Sequence, residues 1–110
     1  MTARATILHN PRCSKSRAVL AMLKEAGVEV RVIDYLRDPP SRDELARLLG
    51  RAALSPRDAL RPEAKMPADA DDAAVLDAMA ADPAMIERPL VETERGVRLC
   101  RPPERVRELL

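Results

Sequence analysis

Apolar positions change their spacing along this chain, and each change marks a boundary between elements. Residues 4–9 form a short mixed run containing Ile7 and Leu8 that stops at Asn10-Pro11, which predicts a strand followed by a turn. From Ser14 to Ala26 the apolar residues Val19, Met22, Leu23 and Ala26 recur at helical spacing, and Gly27 supplies a helix stop. Across 28–35 the residues Val28, Val30 and Val32 alternate with Glu29, Arg31 and Ile33, a strand pattern. Strand, helix, strand in this order implies two parallel strands joined by a right-handed crossover.

Pro39-Pro40 closes that unit. Ser41-Arg42-Asp43-Glu44 has capping-box spacing and opens a helix carrying Leu45, Leu48 and Leu49, with a stop expected at Gly50. A short helix is expected over 55–61, a loop over 62–67, and a further helix over 71–81 with Val75, Leu76 and Met79. Leu90–Glu92 and Val97–Cys100 flank Glu94-Arg95-Gly96, a hairpin with Gly96 in its turn. Pro102-Pro103 then opens a last helix in which Val106, Leu109 and Leu110 share a face. This is the element order of an α/β, thioredoxin-like fold with a mixed four-stranded sheet. A helical insertion, at about 41–82, separates an N-terminal βαβ unit from a C-terminal ββα unit. Residues 1–110 read as one domain without repeat or linker.

Composition limits what such a fold does. Apolar residues make up 46% of the chain, yet Tyr35 is its only aromatic residue, so the core is aliphatic. Charges almost cancel, at +1, which argues against a nucleic-acid or membrane-surface protein. No apolar run has the length of a membrane span, and Met1-Thr2-Ala3-Arg4-Ala5 lacks the apolar stretch of a secretory signal, so the expected location is the cytoplasm. Two widely separated cysteines, Cys13 and Cys100, do not make a disulfide framework, and a single histidine argues against a metal site.

Cys13 stands where the first strand has ended and the first helix begins. Unpaired amides and the helix dipole stabilise a thiolate at such a position, and a bound oxyanion as well. Arg12, Lys15 and Arg17 add local positive charge, and His9 lies just upstream as a hydrogen-bond donor or cation. Polar and basic neighbours on both sides predict an accessible, reactive thiol. Ser16 occupies the place of the second cysteine in a Cys-x-x-Cys motif, so Cys13 is a monothiol needing an external partner. The distance from Cys13 to Arg17 is too short for the Cys-x5-Arg loop of tyrosine phosphatases. Cys100, at a strand end, reads as core packing.

Taken together, His9-Asn10-Pro11-Arg12-Cys13-Ser14-Lys15-Ser16-Arg17, Tyr35-Leu36, Pro40-Ser41-Arg42-Asp43-Glu44-Leu45, Glu87-Arg88-Pro89-Leu90-Val91 and Arg98-Leu99-Cys100-Arg101-Pro102 resemble the glutaredoxin-coupled arsenate reductases. The resemblance runs from about Ala5 to Leu109. It implies that Cys13 attacks arsenate, with His9, Ser16 and Arg17 supporting its activation. It implies further that Arg61, Arg88 and Arg101 hold the oxyanion and that Pro89 is a cis proline beside the cysteine. Guanidinium forks suit that task, because arsenate carries one to two negative charges near neutral pH and repels a thiolate. Glutathione as co-substrate and glutaredoxin as partner follow from the same resemblance, as do the absence of a bound cofactor and a monomeric state. Ser14-Lys15 stand where the well-studied members carry Gly-Thr, a departure that belongs to a divergent branch of the family, and Pro62 follows Arg61 where the family continues with another residue type.

Two other readings fit the residues. One is a glutathione-linked thiol reductase acting on a substrate other than arsenate. The other is a non-enzymatic, redox-responsive regulator of transcription, whose relatives share the N-terminal unit but use a Cys-x-x-Cys switch that Ser16 interrupts here.

Overall fold

A computed structural model describes residues 3–110. Its elements are β1 (Arg4–His9), α1 (Ser14–Glu25), β2 (Glu29–Asp34), α2 (Arg42–Arg51), α3 (Asp72–Ala81), β3 (Leu90–Thr93) and β4 (Gly96–Leu99), with 3-10 turns at Arg57–Ala59, Pro83–Met85 and Pro103–Leu109. The four strands form one mixed sheet in the order β2-β1-β3-β4. β1 runs parallel to β2, with Ile7 opposite Val32, and antiparallel to β3, with Ile7 opposite Val91; β3 pairs antiparallel with β4. The expected thioredoxin-like arrangement with its helical insertion is therefore present.

Each central strand serves two cores because its side chains alternate between faces. Ile7 and Val91 join Ala5, Val19, Leu23, Cys100, Val106 and Leu109 on the face covered by α1 and the C-terminal turn. Leu8 and Leu90 join Leu45, Leu48, Leu49, Val75, Leu76, Met79 and Tyr35 under the insertion.

The insertion is capped and clamped. Ser41 accepts a hydrogen bond from the Glu44 amide, and Asp71 from the Ala74 amide, so both helices begin on N-cap side chains. Glu92 on β3 accepts from Arg47 at 2.7 and 2.8 Å and from Arg51 at 2.5 Å, tying α2 across the sheet.

Three expected boundaries shift. Gly50 lies inside α2, not at its end; the helix continues to Arg51, whose anchor on Glu92 holds the last turn. The left-handed residue that follows is Ala53, at φ 56°. Gly96, at φ 146°, opens β4 opposite Thr93 and leaves Glu94-Arg95 as the turn. The C-terminal segment is 3-10, so its three-residue period aligns Val106 with Leu109 and rotates Leu110 outward, where it is exposed. The short 55–61 helix reduces to the turn Arg57–Ala59, and the turn at Pro83–Met85 was not legible beforehand.

Candidate active site

β1 delivers the chain to Asn10-Pro11, and the Cys13 amide closes the turn by donating to the Asn10 carbonyl at 3.0 Å. Cys13 is the N-cap residue of α1, with extended backbone at φ −93° and ψ 120°. Its sulfur takes the place of the usual capping oxygen. It makes no cap hydrogen bond of ordinary geometry, yet the amides of Ser16 and Lys15 face it.

The thiol is buried, at 8% exposure, and this corrects the accessible cysteine expected from its polar neighbours. Arg12, Lys15 and Arg17 do point to solvent, while the sulfur turns inward beneath residues from distant segments. Burial alone would raise the pKa of Cys13. The net shift is nevertheless downward, because the Ser16 amide, the Arg88 charge, the Lys15 amide and a hydrogen bond from Arg88 outweigh desolvation. The activating charge is therefore Arg88, far along the chain, and not the basic residues adjacent to the cysteine. Arg17 reaches instead toward the Pro11 carbonyl, at 3.4 Å, and stays exposed.

His9 and Ser16 act on the turn. The Ser16 hydroxyl lies 2.6 Å from His9 Nδ1 and accepts from the Asn10 amide at 3.1 Å. Burial lowers the pKa of His9, and of the neighbouring charges the carboxylate of Asp34 opposes that shift while Lys24 and Arg17 reinforce it. Burial thus favours the uncharged imidazole, which pairs with the Ser16 hydroxyl through Nδ1. Both side chains hold the strand-to-helix corner from inside.

Arg88 and Arg101 arrive from the C-terminal unit. The Arg88-Pro89 peptide is cis, and so is Arg101-Pro102, which sequence reading did not anticipate. Arg101 Nη1 lies 4.0 Å from the Cys13 sulfur and donates to the Arg88 carbonyl at 3.1 Å. Arg61 is brought in by a short antiparallel stitch: its amide donates to the Met85 carbonyl at 2.9 Å, and the Glu87 amide donates to Ala59 at 2.7 Å. The insertion is thereby fastened to the segment that carries Arg88.

Tyr35 closes the interior of the site at 1% exposure. Burial raises its pKa, against the opposing pull of the Asn10 side chain, Arg88 and Arg61. Among the described residues, three buried polar side-chain atoms lack a hydrogen-bond partner: the Tyr35 hydroxyl, Arg61 Nε and Arg88 Nε. Arg61 Nε is 3.3 Å from the exposed Glu63 carboxylate, but at an angle that makes no hydrogen bond. Unpaired buried donors are costly, and these three, on Tyr35 and on the two arginines whose charges act on it, mark a place built for an acceptor.

Sequence reading missed Glu87. Its carboxylate lies 3.0 Å from Arg88 Nη1 and 3.8 Å from Arg101 Nε, at 8% exposure. A buried acid between two arginines has no periodic signature, so only its place in Glu87-Arg88-Pro89 pointed toward it. Cys100 is fully buried in the α1-side core, where desolvation pushes its thiol up to about 12. Among the described residues no group of three or more His, Cys, Asp or Glu side chains could hold a metal, and no helix is long and apolar enough to cross a membrane.

The ArsC family profile matches residues 8–109, nearly the whole chain. This chain belongs to the ArsC family. The ArsC chain is 44% identical to an arsenate reductase of Rhizobium meliloti (strain 1021), over 96% of its own length and 80% of that relative. It is 42% identical to an arsenate reductase of Escherichia coli (strain K12), over 96% and 79%. Its fold matches the structure of an arsenate reductase from Vibrio cholerae with a TM-score of 0.94 at 38% identity, covering all of both chains. The match of family, relatives and fold agrees with the resemblance carried by the cysteine and arginine motifs.

Proposed function

We propose that this ArsC-family chain is an arsenate reductase in which Cys13 is the nucleophile and Arg61, Arg88 and Arg101 receive the oxyanion. The observation that carries this reading is the buried, pKa-depressed thiol set among guanidinium groups that retain unpaired donors. Cys13 thiolate attacks arsenic, an S–As bond forms, and one oxygen leaves as hydroxide or, once protonated, as water. The oxidation state of arsenic does not change in that step. A glutathione thiolate then attacks the Cys13 sulfur; an S–S bond forms, and the S–As electron pair stays with arsenic, which departs as arsenite. Glutaredoxin reduces the resulting mixed disulfide. Ser16 supports the use of an external thiol, because the position that would resolve the adduct locally is not a cysteine.

Arsenite formation from arsenate, glutathione and glutaredoxin tests the proposal. Turnover in the intact protein and its loss in Cys13→Ser are expected, and full activity of the serine variant sinks it. Omitting glutaredoxin should leave the mixed disulfide detectable by mass. Cytoplasmic residence and a monomeric state belong to the same reading.

A further inference from the structure

Among the described residues, Glu87 is the one carboxylate placed against both Arg88 and Arg101, in a site otherwise built to attract anions. Its Oε1 faces Arg88 Nη1 at 3.0 Å, and its Oε2 faces Arg101 Nε at 3.8 Å. The Glu87 amide is fixed on the Ala59 carbonyl at 2.7 Å, and the residue is 8% exposed, so the carboxylate has little freedom to leave. Each arginine meets Glu87 through one nitrogen: Arg88 through Nη1 and Arg101 through Nε, while Arg101 Nη1 also donates to the Arg88 carbonyl at 3.1 Å. Arg101 turns Nη1 toward Cys13, and Arg88 keeps Nε buried and unpaired. Glu87 thus grips both guanidinium groups away from the atoms that a ligand would use.

The charge count follows from the same placement. The Cys13 thiolate and the Glu87 carboxylate together balance two guanidinium groups. Arg61, whose charge acts on Tyr35 together with those of Arg88 and Cys13, leaves about one positive charge in excess. Glu63 beside Arg61 is 70% exposed and screened by water, and its weight is correspondingly small. The other titratable groups facing the site, Tyr35 and His9, are uncharged at neutral pH, because burial raises the phenol and lowers the imidazole.

We propose that Glu87 is a positioning residue that fixes the Arg88 and Arg101 forks and tunes the site to a singly charged tetrahedral oxyanion over a doubly charged one. This rests on the oxyanion-binding reading of the site, and it deepens that reading by naming the substrate's charge. Removing the carboxylate leaves a second uncompensated guanidinium and shifts the preference toward dianions.

The test uses anions of fixed charge and needs no turnover. Protection of Cys13 from alkylation is measured at one pH with perchlorate, a tetrahedral monoanion, and sulfate, a tetrahedral dianion. In the unaltered protein perchlorate should protect better than sulfate at equal concentration. In Glu87→Gln, which keeps the shape and removes the charge, the sulfate-to-perchlorate protection ratio should rise roughly tenfold. Glu87→Asp, which keeps the charge on a shorter arm, should retain the original ratio with weaker protection by both anions. Should Glu87→Gln aggregate, the aspartate variant and the intact protein still decide the matter: a sulfate preference in both overturns the assignment. An unchanged ratio in Glu87→Gln also overturns it, yet leaves the proposed function standing because oxyanions still protect. If neither anion protects the intact protein, the oxyanion reading and this inference fall together.

Discussion

Two cysteines on one chain have opposite chemistry here. Cys13 and Cys100 are both buried and both unpaired. Burial alone would leave each inert, and for Cys100 it does, pushing the thiol up to about 12 among Val19, Leu23, Val91 and Val106. Cys13 faces the same penalty and overcomes it with two helix-start amides and the Arg88 guanidinium. Depth therefore does not decide reactivity in this fold. What decides it is whether dipoles and charges reach the sulfur once water has been excluded, where they act with less screening.

The comparison breaks most visibly in catalysis. Replacing Cys13 by Ser should reduce arsenate turnover by at least about 10³-fold, because a serine hydroxyl at a helix start is not ionised at neutral pH. Cys100→Ala should leave turnover per folded molecule within about twofold, since that sulfur touches only core atoms and the Arg98 carbonyl. Equal losses in both variants would overturn the division of roles.

Reactivity gives the next largest difference. At neutral pH iodoacetamide should modify Cys13 on the order of 100-fold faster than Cys100, as measured by peptide mass after a timed quench. The sign is fixed by the shifts: a depressed pKa populates the thiolate below the ordinary thiol range, whereas Cys100 remains protonated until about pH 12.

The source of the depression can be sharpened by charge removal. Arg88→Ala should raise the Cys13 pKa and cut kcat/KM for the oxyanion by about 10–100-fold. Arg12→Ala and Lys15→Ala should leave the pKa nearly unchanged, because those side chains are exposed and Lys15 acts through its amide. A pH titration of alkylation rate reads all three, and a larger shift in Arg12→Ala than in Arg88→Ala would reverse the assignment.

The smallest effects concern stability. Cys100→Ala should cost about 1–2 kcal/mol in urea unfolding, the price of a small cavity in a packed core. His9 adds a pH dependence. Its folded pKa is lowered, so its contribution is complete above the unfolded imidazole value and is lost as pH falls through the folded one. Urea midpoints should therefore decline on acidification less steeply in His9→Gln than in the unaltered protein.

Much of this was legible before any coordinates. The run over residues 4–9 reads as a strand ending at Asn10-Pro11, and Ser41 and Asp71 announce helix starts by local hydrogen bonding alone. Gly50 misled because a single glycine is tolerated inside a helix, and the Arg51–Glu92 contact anchors the turn beyond it. The cysteine, its missing partner at Ser16 and the three arginines all stood in recognisable motifs.

The sequence by itself determined the element order and marked Cys13 at the strand-to-helix turn as the candidate nucleophile, because each depends on neighbours a few positions away. Only the tertiary structure decided how deep Cys13 lies and which cation depresses its pKa. It also decided that His9 is buried against Ser16 with a lowered pKa, and that Glu87 sits between Arg88 and Arg101. These properties depend on distances between segments remote in sequence. Electrostatic coupling follows separation in space and exclusion of water, and neither is written in local order.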